Sequence, residues 1–334
     1  MNSLQRYLGV LKGERVDFLP RLPILMQFAA EYIGSNYGAF ASDYRVLVEA
    51  NRRCAADFGM DQLSVISDPY RETQGFGAEI IYLTDGVPRC RRPPLEESKD
   101  LDSLPRPDPL NSERMLDRIN AVRAFKDQEG SKYSIMGWIE GPAAEAADLR
   151  GVTTFLIDLL DDPSFAAQLM DLCVNIGIEF GRAQVEAGAD TIGIGDAIAS
   201  QVSPELYEAL IQPREKRLIQ ALKETGAIVR LHICGNITHL LPGISELGID
   251  ILDVDHMVDM TLVRKSLGDN IALAGNIDPA EAVRAGKPDS IRETIRKIYA
   301  EVGNPYMVAA GCEIPPGTPE ENLRALCEPI PYRP

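Results

Sequence analysis

The chain of 334 residues is predicted to fold as a closed (β/α)8 barrel of the α/β class. Three observations point there. Short apolar or β-branched runs alternate with helical stretches from end to end, the order of parallel βα units. The runs number eight, at residues 22–28, 62–67, 133–140, 190–196, 227–234, 250–255, 270–277 and 306–312, and the length suits one such barrel. No G-x-G-x-x-G follows any run, so a doubly wound open sheet, the alternative, fits less well.

The elements follow in order. Leu4, Tyr7, Leu8 and Leu11 keep helical spacing, so a small amphipathic helix opens the chain. Residues 75–130 break the strand–helix rhythm. There GAEIIYLTDGVPRC reads as a hairpin turning at Asp85-Gly86, followed by the Pro-rich RRPPLEESKDLDSLPRPDPL and a helix through MLDRINAVRAFKDQ. This is expected to be an insertion at one barrel end, leaving residues 1–334 as a single domain. Later helices are well marked. Ser203-Pro204, Asp278-Pro279 and Thr318-Pro319 each pair an N-cap with Pro at the first helical position. Asp278 with Glu281, and Thr318 with Glu321, have capping-box spacing.

Composition excludes several function classes. The net charge is −16, which argues against non-specific binding to nucleic acid or to anionic membranes. No apolar run is long enough to span a membrane, and the N-terminus lacks a signal-peptide layout. The expected location is the cytoplasm. The six cysteines are scattered, unlike a disulfide scaffold; Cys54, Cys90, Cys173 and Cys327 read as ordinary thiols.

In such a barrel the active site lies at the C-terminal strand ends. The fifth run ends in LHICGN, residues 231–236, which holds one of the chain's three histidines. Alternate side chains of a strand share a face, so His232 and Cys234 point together, and Gly235 permits a sharp turn after them. Alone, this pair equally describes a buried histidine satisfied by backbone beside a small apolar cysteine. The eighth run ends in Cys312 at the same mouth. Three N/S ligands with an exchangeable fourth position describe a catalytic zinc site, and their softness favours zinc over magnesium or calcium. Asp255, Asp253 or water can fill the fourth position. Asp255 lies nearer the strand's C-terminal end, so it is expected to contact zinc directly or through one water. Asp68, Glu140 and Asp196, at the ends of the second, third and fourth runs, are the candidate catalytic carboxylates; each can equally cap a helix or satisfy buried backbone. Trp138 reads as wall. His239 and His256 read as surface or supporting residues.

The segments YLGVLKGERVDFLPRLP, FGMDQLSVISDPYRETQGFGAEI, LHICGNITHLLPGISELGIDILDVDHMVD, LAGNIDP and AAGCEIPPGTPEENL resemble the uroporphyrinogen decarboxylase superfamily over essentially the whole chain. The resemblance implies a (β/α)8 barrel. Decarboxylases carry substrate-gripping arginines in the first strand-to-helix loop, whereas MQFAAEYIG here has none. Asp68 matches the decarboxylases' catalytic aspartate. His232, Cys234 and Cys312 match, one for one, the H-x-C…C zinc pattern of the corrinoid-dependent methyltransferase branch, which includes the methylcobamide:coenzyme M and some O-demethylase methyltransferases. That branch implies zinc, and a cobamide brought by a separate corrinoid protein, since no D-x-H-x-x-G cobalamin motif is fused here. The expected activity is methyl transfer between that corrinoid and a small methylated donor or thiol acceptor. A decarboxylase-type lyase is the alternative, and a non-enzymatic binding barrel the second; a homodimer is left open.

Overall fold

The computed structural model describes residues 1–333. In chain order its strands are β1 (Gln62–Ser64), β2 (Ile80–Leu83), β3 (Gly86–Cys90), β4 (Ser134–Glu140), β5 (Thr191–Gly195), β6 (Ile228–His232), β7 (Ile251–Val254), β8 (Ala272–Ile277) and β9 (Tyr306–Ala310). Among the described residues, β1 and β4 to β9 form one seven-stranded sheet in that order, every pair parallel. Seven of the eight expected runs are therefore strands.

The eighth, at residues 22–28, is not. Pro20 and Pro23 lack the N–H that a ladder needs. Leu22 N–H still donates to Val308 (2.7 Å), Val308 N–H to Pro20 (2.8 Å), and Asp61 N–H to Arg21 (2.9 Å). The segment thus touches β9 on one side and the residue before β1 on the other. From Gln27 the chain is helical, to Tyr32.

The outward face of the sheet is apolar. Leu63, Ile135, Ile139, Ile192, Val229, Leu231, Leu252 and Leu273 are fully buried beneath the surrounding helices, each side chain contributing about 1.5–3 kcal/mol. Polar groups meet on the inner face of the curled sheet, where Arg230 donates to Gln62 (3.0 Å) and pairs with Asp253 (2.7 Å). The N-terminal helix, Ser3–Leu11, has a full Asn2/Gln5 capping box. Its Tyr7 and Val10 pack against Ile251, Ala272, Ala274, Met307 and Ala309, and the Tyr7 hydroxyl hydrogen-bonds Thr191 Oγ1 at 2.8 Å. This helix lies at the N-terminal end of the strands, opposite the mouth.

β2 and β3 form a separate antiparallel hairpin. Leu83 pairs with Gly86, so the turn is Thr84-Asp85, one residue earlier than the Asp85-Gly86 expected. The helix Glu113–Glu129 packs on β4 and against the helices Tyr44–Phe58 and Pro163–Ala187. Ser203 and Asp278 cap helical segments as expected. Thr318 does not: its hydroxyl donates to Pro315, and the helix starts at Glu320. Among the described residues no helix is long and apolar enough to cross a membrane.

Candidate metal centre

β6 ends at His232, and the chain turns at Gly235, whose φ of +93° favours glycine. Cys312 follows β9 by two residues. His232 Nε2 lies 2.9 Å from Cys234 Sγ and 3.9 Å from Cys312 Sγ, and the two sulfurs are 3.9 Å apart. A tetrahedral zinc ion with bonds of about 2.0–2.3 Å places its ligand atoms roughly 3.5–3.8 Å apart. The trio matches that spacing on two edges and is short on the third. Among the described residues it is the one group of three such side chains with donor atoms within 4.8 Å of one another.

The electrostatics suit a cation. Burial alone would lower the His232 pKa, but the Cys234 sulfur and Asp253 hold it well above the ordinary value. The sulfur-to-sulfur hydrogen bond lets the two thiols share one proton, drawing Cys312 down and pushing Cys234 up. One thiolate therefore forms readily. Behind the imidazole, Nδ1 stands 3.4 Å from Asp253 Oδ2, at the outer limit of a hydrogen bond. Asp253 backs the imidazole on the side away from the sulfurs and is not placed to share the ligand group.

The trio floors a cavity of about 180 Å³. Asp68, Trp138, Glu140 and Glu313 line it, with Tyr37 and, from the hairpin, Val87. Asp68 is deeply buried. Burial would raise its pKa, but Arg114 and Arg71 outweigh it, and the carboxylate stays ionised below the ordinary range. It also accepts from Ser67 Oγ (2.6 Å) and Tyr70 N–H (3.1 Å). Glu140 is different. Burial, with Glu72 nearby, pushes it up to about 8 despite its bond to Arg71. Trp138 Nε1 donates to the same carboxylate at 3.2 Å. Glu313 is pushed by burial to about 7.

Two candidates are placed otherwise. Asp196 does not reach the cavity, although its neighbours Gly195 and Ala197 line it. Its carboxylate accepts from Ala143 and Ala144 N–H at 3.3 and 2.7 Å, capping the helix Pro142–Arg150. Asp255 does not join the ligand group, a correction to its expected place beside the metal. Its oxygens accept from Gly235 N–H (2.9 Å) and Met257 N–H (3.0 Å), which satisfies the carboxylate within the loops. His239 bonds the Val202 carbonyl, and His256 lies against Asp255 and Asp278.

Sequence reasoning missed Arg71 and Arg114, the buried partners of Glu140 and Asp68. One signal was available: a buried carboxylate needs a cation or donors, and DPYRE places Arg71 three residues after Asp68. Tyr37, whose hydroxyl donates to the Ser67 carbonyl, left no such signal.

A curled parallel α/β sheet that gathers a His/Cys/Cys trio able to hold a metal ion and buried carboxylates at its C-terminal strand ends is the frame of an enzyme active site. The family described as uroporphyrinogen decarboxylase (URO-D) matches residues 2–330, and the chain belongs to that family. It is 28% identical over 331 residues to the methylcobamide:CoM methyltransferase MtaA of Methanosarcina barkeri, covering 96% of this chain and 95% of that protein. It is 27% identical over 332 residues to MtbA of Methanosarcina mazei, covering 97% and 96%. Uroporphyrinogen decarboxylase of Microcystis aeruginosa is 25% identical over 339 residues, covering 96% and 95%. A methyltransferase structure from Methanosarcina mazei superposes with a TM-score of 0.89 at 24% identity, covering 98% and 97% of the two chains; at that identity the likeness speaks for the fold.

Proposed function

We propose that this protein is a zinc-dependent methyltransferase that moves a methyl group between a corrinoid carried on a separate protein and a small thiol or methylated donor. The observation that carries the reading is the His232–Cys234–Cys312 trio on the floor of a small cavity. The likeness to methylcobamide:CoM methyltransferases over nearly the whole chain supports it. All six cysteines are free, which suits a reducing cytoplasm. We read residues 1–334 as one barrel domain, with residues 20–24 standing where an eighth strand would complete the ring.

His232, Cys234 and Cys312 would hold the zinc. Bound there, the metal supplies Lewis acidity, which favours the thiolate form of a substrate thiol at neutral pH. The remaining work belongs to the chain. Asp253 keeps the imidazole turned so that Nε2 faces the sulfurs. Trp138 and Val87 narrow the cavity and exclude water. Glu140, whose pKa burial raises, can give a proton to a leaving oxygen or sulfur at the cavity wall, and Asp68 stays anionic beside Arg114. Asp196 acts by fixing the helix Pro142–Arg150 behind the wall.

The test is metal content and methyl transfer. Protein purified without added zinc should hold close to one equivalent and methylate a small thiol from methylcobalamin. Cys312→Ser should lose zinc and activity while keeping the fold; Cys173→Ser, in an outer helix, should lose neither. Less than a third of an equivalent in the wild type, or full zinc in Cys312→Ser, would refute the site.

Asp68 in the cavity, with the decarboxylase relatives, favours a carboxy-lyase as second reading. Against it, Arg71 and Arg114 already pair with the protein's own carboxylates, leaving no free cation there for a polycarboxylate. Uroporphyrinogen turnover insensitive to chelators would establish it.

A further inference from the structure

We infer that Asp255 is a positioning residue, whose carboxylate on one side and peptide with His256 on the other together set the spacing of Cys234 and Cys312. This rests on the metal reading above.

His232 pairs with Asp253 in the parallel register, so Cys234 falls level with Asp255. The ladder stops at His232. Beyond it the Asp255 side chain does what the ladder no longer does: Oδ2 accepts the Gly235 N–H at 2.9 Å, directly after Cys234. The carboxylate is itself fixed, since Oδ1 accepts the Met257 N–H at 3.0 Å. Asn276 Nδ2 donates to the Asp255 carbonyl at 3.1 Å, which pins the backbone. Asp255 is 6% exposed, so water competes little for these bonds.

The same peptide touches the other thiol's neighbour. Gly311 precedes Cys312. A Cβ there would overlap the His256 backbone nitrogen and lie 3.0 Å from the Asp255 carbonyl carbon. Gly311 can lie flush against this peptide only because it has no side chain. One residue thus bonds the residue after Cys234 through its carboxylate and abuts the residue before Cys312 through its peptide, and the two thiols stand 78 positions apart in sequence. Both Asp255 oxygens accept, which an aspartate can do and an asparagine cannot at its NH2 end.

Cobalt(II) binding to metal-free, full-length protein tests this. Affinity comes from competition with a chelator, ligand geometry from thiolate-to-cobalt absorption, and fold from thermal melts. Wild type should bind one cobalt with thiolate bands. Asp255→Asn should weaken binding about 10-fold, and Asp255→Ala up to about 100-fold, with shifted bands, the range for lost partners of metal ligands. Gly311→Ala should act likewise, and should carry the test with Asp255→Asn if Asp255→Ala fails to fold. Wild-type affinity and bands in the variants, even with lowered melting temperatures, overturn the positioning role and leave the metal site standing. Absence of thiolate bands in the wild type overturns both.

Discussion

Glu140 is a carboxyl whose pKa folding raises. Burial and Glu72 push its pKa to about 8, against an ordinary value of about 4.3. Between those values the folded chain holds a proton that the unfolded chain has released, so stability falls as pH rises. The Glu140 contribution is complete below about pH 4.5 and is lost through pH 8. Glu140→Gln removes the titration. From pH 5 to pH 8 the wild type should lose on the order of 2–4 kcal/mol more than the variant, because each pH unit is worth about 1.4 kcal/mol. Urea unfolding at both pH values measures this; parallel losses would show Glu140 ionised throughout. Residue identity was legible in the sequence, since Glu140 closes a strand. Its protonation was not, because Arg71 and Glu72 approach from a helix (Arg71–Gly75) whose packing no spacing encodes. The same limit hid the direction of Asp196, which turns to the first backbone N–H groups of the helix Pro142–Arg150, and of Asp255, which turns to loop N–H groups.

At the scale of elements, β4 and β5 fit together through size. Trp138 on β4 lies across β5, where a Cβ at Gly193 would overlap its ring and one at Gly195 would come within 2.9 Å of it. β5 therefore carries two glycines on its inner face, at some cost in strand propensity, so that the cavity wall can be an indole. Trp138 is the chain's single tryptophan, so its fluorescence reports that wall directly. Gly193→Ala should push the ring aside, lower stability by about 1–3 kcal/mol as overpacking does, and shift the emission. Unchanged emission with wild-type stability would mean that the strands part freely. The GIG pattern was read as strand, correctly, while its purpose stayed hidden because the partner ring comes from another strand. The prolines explain the reverse error: LPILMQF has a strand's composition, yet Pro20 and Pro23 remove ladder donors. An apolar run records burial, and ladder pairing is a separate requirement.

For the molecule as a whole, the two ends of the curled sheet carry separate duties. Chemistry-bearing side chains gather at the C-terminal strand ends, whereas the N-terminal helix closes the other end through Tyr7 and Val10. Thr191, which bonds Tyr7, is the first residue of β5, and the ligand trio stands past the opposite ends of β6 and β9. Tyr7→Phe keeps the ring and its packing but leaves the Thr191 hydroxyl without its partner. A buried hydrogen bond of this kind is worth about 0.5–1.5 kcal/mol, so urea midpoints should fall by that amount. Zinc affinity should not change, because Tyr7 touches none of the three side chains and only Gln62, Arg230 and Asp253 stand between them. Cys312→Ser should show the converse, losing metal while the metal-free fold keeps its stability. Sites that act independently have additive effects, so the double variant should show the sum of the two effects on metal-free stability and the zinc loss of Cys312→Ser alone. A measurable drop in zinc affinity in Tyr7→Phe would show instead that the strands transmit strain along the ring, and the division of labour between its ends would have to be abandoned.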